Sequence, residues 1–416
     1  MAEKASFKRL KLYSFKLNAL LEITQAINEN LSGRELLKRY ESILKDDLNI
    51  GRIAIIKLNE KWQTILTTGA DKEDVSHIDV EKELLPIKEI SFVTSSPHLS
   101  LKNFDIIIPV ITQDTPLAFV LIGDIDEEAE GISPTIKHLH FIQTISNVII
   151  VAIENIRLHK ESLRQEAMRK ELELASRIQR MLIPENSTLP QNKNIRFTVF
   201  YHPHFSVGGD YYDCISLNNN EFGFCIADVS GKGISAAILM SNFQANLRAL
   251  FSDEITLDQL VNRLNTRVMA SAKGEKFITL FIGKYIVDRR ELQYINAGHN
   301  PPLLYEENKK QLSTLMKGCV GMGMLDKIPA TEMGVVTMNE PTKMFCYTDG
   351  LVELLDESGL ESGIEFGTEK IEGHVTNTHP IHENINDIIE SHNILEGNTA
   401  IFDDISILGI EFTPTS

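Results

Sequence analysis

Between positions 14 and 48 apolar residues recur at three- and four-residue steps. Leu17, Leu20, Ile23, Ile27 and Leu31 fall on one side of a predicted helix. Ser32-Gly33 interrupts the spacing, which resumes from Glu35. The period then shortens to two and predicts strands over 52–59, 61–68, 105–111 and 117–124, with a polar, irregular stretch at 71–103. Ser133 and Pro134, residue types favoured where helices begin, open a further helix. From 149 onward, positions 149, 153, 156, 163, 167, 174 and 181 hold Ile, Ile, Ile, Leu, Ala, Leu and Met on a seven-residue lattice. That spacing fits the seam of a weak parallel coiled coil, interrupted by Lys160, Lys170 and Arg177, or one face of a single amphipathic helix lying on a domain. Pro184 and Pro190 end it.

Beyond those prolines the pattern predicts strands at 195–202, 276–287, 291–297, 343–347 and 405–411. Helices are predicted over 234–251 and 257–272, the second capped by Thr256. The stretch 206–235 reads as two short strands joined by the turn Asn218-Asn219-Asn220. An antiparallel return sets Asp210 beside Asp228. Two such carboxylates repel by about 4 kcal/mol at about 4 Å and an effective dielectric near 20. A hard divalent cation held by oxygens offsets that repulsion. Asp349 sits at a strand-to-turn corner before Gly350, and Asp403-Asp404 open the last strand. Any one of these is first of all a turn signal. Together, four strand-end carboxylates from distant parts of the chain make the arrangement a two-metal hydrolase uses. Asp213, three residues beyond Asp210, faces away on a strand and supports rather than ligates.

Composition narrows the classes. A chain of 416 residues holds two or three domains, and 43% hydrophobic with 24% charged residues is an ordinary globular profile. The net charge of −17 disfavours nucleic acid and anionic membrane surfaces as partners. A phosphorylated substrate is repelled at long range, so its site needs local positive charge. The most apolar window, 141–156, includes Gln143, Thr144, Ser146, Asn147 and Glu154, so no membrane span is expected, nor a secretory leader at the start. Cys214, Cys225, Cys319 and Cys346 lack metal-ligand spacing and read as reduced core thiols of a cytoplasmic protein.

Five motifs occur in a specific order: Gly208-Gly209-Asp210-Tyr211-Tyr212-Asp213, Ala227-Asp228-Val229-Ser230-Gly231-Lys232-Gly233, Ala297-Gly298-His299-Asn300-Pro301, Tyr347-Thr348-Asp349-Gly350 and Asp403-Asp404-Ile405-Ser406. In that order they resemble the SpoIIE/RsbU-type serine phosphatases, a branch of the metal-dependent protein phosphatase (PPM) superfamily. The segment 176–184 resembles the helix that enters such a domain. The resemblance implies an α+β chain with a phosphatase domain over 190–412, an α-β-β-α sandwich of two antiparallel sheets. The layout of 15–160 resembles a GAF-like α/β sensor domain, joined by a helical coiled-coil linker over 149–184. Carried over by resemblance, Asp210, Asp228, Asp349 and Asp403 ligate two Mn²⁺ or Mg²⁺ ions, with the Val229 carbonyl adding an oxygen. Asp213, Asp404, Gly209, Gly231, His299 and Asn300 take supporting places. The ions arm a water for direct attack on a phosphoester, without a covalent phosphoenzyme. The histidine of eukaryotic relatives after their second aspartate motif is replaced here by Val229-Ser230, which leaves the general acid open.

The resemblance further implies a protein serine/threonine phosphatase acting on a phosphoserine-bearing STAS-domain anti-sigma-factor antagonist, as a homodimer joined through the linker. Gly231-Lys232-Gly233 is not a phosphate loop, because Ile226 stands where the Walker pattern needs glycine and Gly233 where it needs Ser or Thr. The rival reading is a phosphatase fold that has lost catalysis and acts as a regulatory scaffold.

Overall fold

The computed structural model describes residues 2–93, 101–125, 134–204, 206–354, 367–395 and 402–414. Ser133 lies outside the described residues. The chain divides into two compact units, Met1–Ala167 and Met168–Ser416.

In the first unit the helix α1 (Ala2–Asn28) stops before Ser32, which opens α2 (Gly33–Ser42) through a reciprocal capping box with Glu35. The predicted break at Ser32-Gly33 is therefore a helix start with two satisfied backbone donors. Strands β1 (Ile50–Leu58), β2 (Trp62–Thr68), β3 (Ser91–Phe92), β4 (Ile106–Thr112) and β5 (Thr115–Ile125) form an antiparallel sheet in the order β2-β1-β5-β4-β3. One face packs on α1, α2 and the long helix α4 (Pro134–Arg180) through Ile23, Tyr40, Ile53, Val120, Ile145 and Ile149. The short helix α3 (Lys72–Ser76) lies on the other face, where Val75 joins Phe104 and Phe119.

Two features of α4 bear on the sequence expectations. Ile149 is fully buried, and Ile153 and Ile156 pack against the first unit's cores, so the first lattice positions are spent inside the unit. Only from Leu163, through Leu174 and Met181, does the seam stand exposed. By length and composition alone, a window within 138–180 with mean hydropathy 1.4 is apolar enough to cross a membrane, a test that buried core helices also pass. Its residues Ile142, Ile145, Ile149 and Ile150 are core residues of the first unit.

The second unit has two sheets. The first follows the order β13-β10-β9-β8-β7, with β14 (Gly334–Thr337) also on β10. Its members are β7 (Tyr211–Ser216), β8 (Glu221–Val229), β9 (Ile278–Ile286), β10 (Glu291–Ala297) and β13 (Gly318–Cys319). The second follows β12-β11-β15-β16-β6 and comprises β6 (Ile195–His202), β11 (Leu303–Glu306), β12 (Gln311–Thr314), β15 (Thr342–Tyr347) and β16 (Ile405–Phe412). Pairing is antiparallel throughout except for β10 with β13.

The sheets meet through alternate side chains. Phe197 lies 6.5 and 6.0 Å from Phe222 and Phe224, and Tyr285 lies 4.8 Å from Phe412. Each such buried ring contributes about 2 kcal/mol by leaving water. Helices α5 (Ile234–Leu250) and α6 (Leu257–Ala272) cover the first sheet. Helices α8 (Gly367–Val375) and α9 (Ile381–Ser391) cover the second. A single helical turn, α7 (Asp349–Val352), follows β15. Thr256 stands at the cap position of α6 with extended backbone, but its side chain makes no cap hydrogen bond.

Candidate metal centre

Strand register brings the acidic residues together. Tyr211 pairs with Ala227, so Asp210 and Asp228 flank one another where β7 begins and β8 ends. In the other sheet Tyr347 pairs with Ile407, which sets Thr348-Asp349 beside Asp403-Asp404 at the start of β16. The two sheets thus each present a pair of carboxylate positions at the same end of the sandwich.

Asp210 is buried at 1% exposure, and Thr348 donates its hydroxyl proton to Asp210 Oδ2 at 2.8 Å. The same hydroxyl accepts the Ser406 N–H at 2.9 Å. Asp404 is turned to the backbone: Oδ1 accepts the His204 N–H at 2.8 Å and Oδ2 the Gly209 N–H at 2.6 Å. Asp403 accepts the Asp404 N–H on Oδ1 at 2.8 Å and pairs through Oδ2 with Lys232 Nζ at 3.0 Å. A Cβ on Gly209 would sit 3.0 Å from the Val229 carbonyl oxygen and 3.4 Å from Asp228 Oδ1, so that oxygen faces the Asp210 corner and a side chain there would be tight. Gly231 holds φ +77, and a Cβ there would meet Lys276 Nζ at 2.8 Å.

Uncompensated negative charge marks the cluster. Burial, then the charges of Asp228 and Asp404, hold the Asp210 carboxyl well above the usual carboxylate range. Burial followed by Asp349 and Asp403 pushes Asp228 up to about 7, against a hydrogen bond with Asp210. Asp349 is raised by burial and then by Asp403, with Lys232 opposing. Asp404 is raised by burial, opposed by the amides of His204 and Gly209.

In kind, these oxygens suit a hard divalent cation. Among the described residues, however, no three His, Cys, Asp or Glu side chains are gathered at coordination spacing. Asp403 is engaged by Lys232, so closing a shell around an ion needs side-chain rotation, beginning there. Asp210, Asp228, Asp349, Asp403 and the Val229 carbonyl are the groups placed to hold one.

The remaining predicted residues lie around this centre. Asp213 is fully buried and points away from Asp210: it accepts Tyr211 OH at 2.5 Å, the Cys214 N–H at 3.0 Å and Arg248 of α5 at 2.7 and 2.9 Å. It fastens α5 to β7. Arg248→Met leaves that buried carboxylate without its counter-charge and should cost about 2–3 kcal/mol, read as a lower urea midpoint at unchanged slope. His299 is buried beside Thr279, whose Oγ1 lies 2.9 Å from Nδ1, and its own amide donates to Asn296 Oδ1 at 2.8 Å. Burial pulls its pKa down to about 4, opposed by a hydrogen bond with the Tyr347 backbone, so the ring is neutral at neutral pH. Asn300 follows it, half-buried, before Pro301.

Sequence reasoning missed Thr348, Lys232 and Gln179. Gln179, at the end of α4, is buried and clamps one residue in both directions: Nε2 donates to the Gly208 carbonyl at 2.6 Å, and Oε1 accepts the Gly208 N–H at 3.0 Å. Thr348 and Lys232 stood inside recognised motifs, and Gln179 inside the entering helix, but nothing in the residue order named their partners.

Helix-covered antiparallel sheets with acidic strand ends define the class: the SiaA-PP2C domain of Pseudomonas aeruginosa matches with a TM-score of 0.51 at 18% identity, over 60% of this chain and 98% of that domain. The second unit therefore has a PP2C-type phosphatase fold. Residues 218–413 match the family model for stage II sporulation protein E (SpoIIE), and Asp228, Asp349 and Asp403 fall inside the match while Asp210 precedes it. Phosphoserine phosphatase RsbU of Bacillus subtilis (strain 168) is 26% identical over 196 residues, 47% of this chain and 57% of that protein. Phosphoserine phosphatase RsbP of the same organism is 24% identical over 189 residues, 44% and 46% of the two chains. The chain spans about half the length of these curated relatives. The second unit thus carries a match to the SpoIIE family model over 218–413, and the chain is similar over under half its length to the phosphoserine phosphatases RsbU and RsbP.

Proposed function

We infer that this chain is a Mn²⁺- or Mg²⁺-dependent protein serine/threonine phosphatase that hydrolyses phosphoserine on a regulatory partner protein. The observation that carries the reading is that Thr348, next to Asp349 on one sheet, donates to Asp210 of the other, with Asp228 and Asp403 at the neighbouring strand ends. Supporting it, two relatives are named phosphoserine phosphatases. Bound divalent cations supply water activation and neutralise charge on the phosphoryl oxygens. The chain's own part is to hold the ligands: Thr348 orients Asp210, and Asp404 fixes the Gly209 and His204 backbone. With His299 buried and neutral, proton delivery to the leaving serine oxygen falls to solvent at the centre.

The partner is taken to be a STAS-domain anti-sigma-factor antagonist, on kinship with the RsbU type. The first unit is read as a GAF-like sensor, supported by its helix-flanked antiparallel sheet. It would act through α4 on α5 and α6, which follow the Asp228 motif. Exposed Leu163, Leu174 and Met181 support pairing of α4 in a homodimeric coiled coil. Cytoplasmic placement rests on free cysteines, three of them buried.

The test is hydrolysis of p-nitrophenyl phosphate by the full chain with Mn²⁺ or Mg²⁺. We expect turnover that chelation stops and Asp210→Asn removes. Metal uptake without turnover would favour the inactive scaffold.

A further inference from the structure

Lys232 is the ammonium that touches the acidic cluster. Its Nζ lies 3.0 Å from Asp403 Oδ2 and also donates to the Phe402 carbonyl. The neighbouring Lys276 is directed elsewhere, to the Ser230 carbonyl at 2.7 Å. The loop carrying Lys232 is fixed at its backbone, with Gly231 at φ +77 and Gly233 at φ +78. Ser230 is pinned in addition by the Phe277 N–H on its Oγ at 2.9 Å. What can move is the lysine side chain, 41% exposed on a flexible four-carbon stem.

Asp403 Oδ1 accepts the Asp404 amide, and Oδ2 is held by Lys232. An ammonium and a divalent cation repel, so Lys232 on that oxygen opposes an ion arriving at the same carboxylate. The geometry points to Lys232 as an exchangeable internal counter-ion, which occupies Asp403 until a divalent cation displaces it and so sets the affinity of the centre. This rests on the metal-centre reading above and adds a residue that opposes loading. Displacement is cheap, because the pair is partly exposed at both partners, 41% and 26%. Ion pairs so exposed are worth little, which amounts to about a two- to fivefold change in affinity.

The experiment is isothermal titration calorimetry of Mn²⁺ and Mg²⁺ into the full chain, with melting of each metal-free variant as a folding control. Lys232→Met should bind about two- to fivefold more tightly than wild type, Lys232→Arg as wild type, and the gain should shrink as salt rises. Lys276→Met should not reproduce it. Unchanged or weaker binding by Lys232→Met overturns the proposal, as does an equal gain in Lys276→Met, which would mean a general field effect. Absence of ion binding by the wild type itself would sink the metal-centre reading and this inference with it.

Discussion

Asp228→Asn should lower metal-dependent turnover at least about a hundredfold and yet stabilise the metal-free protein. Both outcomes have one cause. The carboxyl is pushed up to about 7, first by burial and then by Asp349 and Asp403. An unfolded aspartate titrates near 4, so ionising this one costs more in the folded chain than in the unfolded. The penalty is absent below about pH 4, grows as pH rises toward 7, and is fully expressed above that. Its size is about 2–4 kcal/mol, at roughly 1.4 kcal/mol per pKa unit. In chelator at pH 8 the asparagine variant should therefore melt higher than wild type, with the gap closing near pH 4. Saturating Mn²⁺ or Mg²⁺ should reverse the order, because only the carboxylate gains from the ion. Melting curves across pH, with and without metal, decide it. A wild type already more stable in chelator at pH 8 would show that the cluster carries no such repulsion.

Gln179→Ala should weaken divalent-ion binding about 10- to 100-fold although the side chain touches none of the carboxylates. Its amide makes both hydrogen bonds of Gly208, and the next amide, of Gly209, is given to Asp404 at 2.6 Å. The backbone leading into Asp210 is thus held from two sides. Alanine leaves a buried N–H and a buried carbonyl unpaired, each worth about 1–3 kcal/mol. That loss falls on the corner presenting Asp210 more than on the packed sheets. Gln179→Glu should not restore binding, since a carboxylate cannot donate to the Gly208 carbonyl. Calorimetry is again the readout, and unchanged affinity in Gln179→Ala would remove the link between the end of α4 and the centre.

Both results bear on how much the residue order could tell. The alternation around Asn218-Asn219-Asn220 placed Asp210 near Asp228, because a short turn between two strands of similar length brings their far ends together. The motifs at Asp349 and Asp403 were visible for the same reason, as acidic corners on strong apolar strands. Short pieces were not visible. The four-residue strands Leu303–Glu306, Gln311–Thr314 and Gly334–Thr337 carry too few alternations to stand out from loop. The helix Ile381–Ser391 did carry a signal, Ile381, Ile385, Ile388 and Ile389 on one face, which the reading passed over. The lattice on α4 misled in part, because Ile149 and Ile153 serve a core just as well as a seam. Contacts such as Gln179 with Gly208, Arg248 with Asp213 and Lys232 with Asp403 join residues 29, 35 and 171 positions apart. No periodicity encodes them.

The Thr348 hydroxyl accepts the Ser406 N–H of its own sheet and makes its shorter donor contact to Asp210 of the facing one, at 2.8 Å against 3.3 Å to the Asp404 carbonyl. It is a rivet through both layers at the mouth of the sandwich. Were an ion held by Asp210, prying the layers apart there would carry its ligand away, and opening of that edge would empty the centre in the same event.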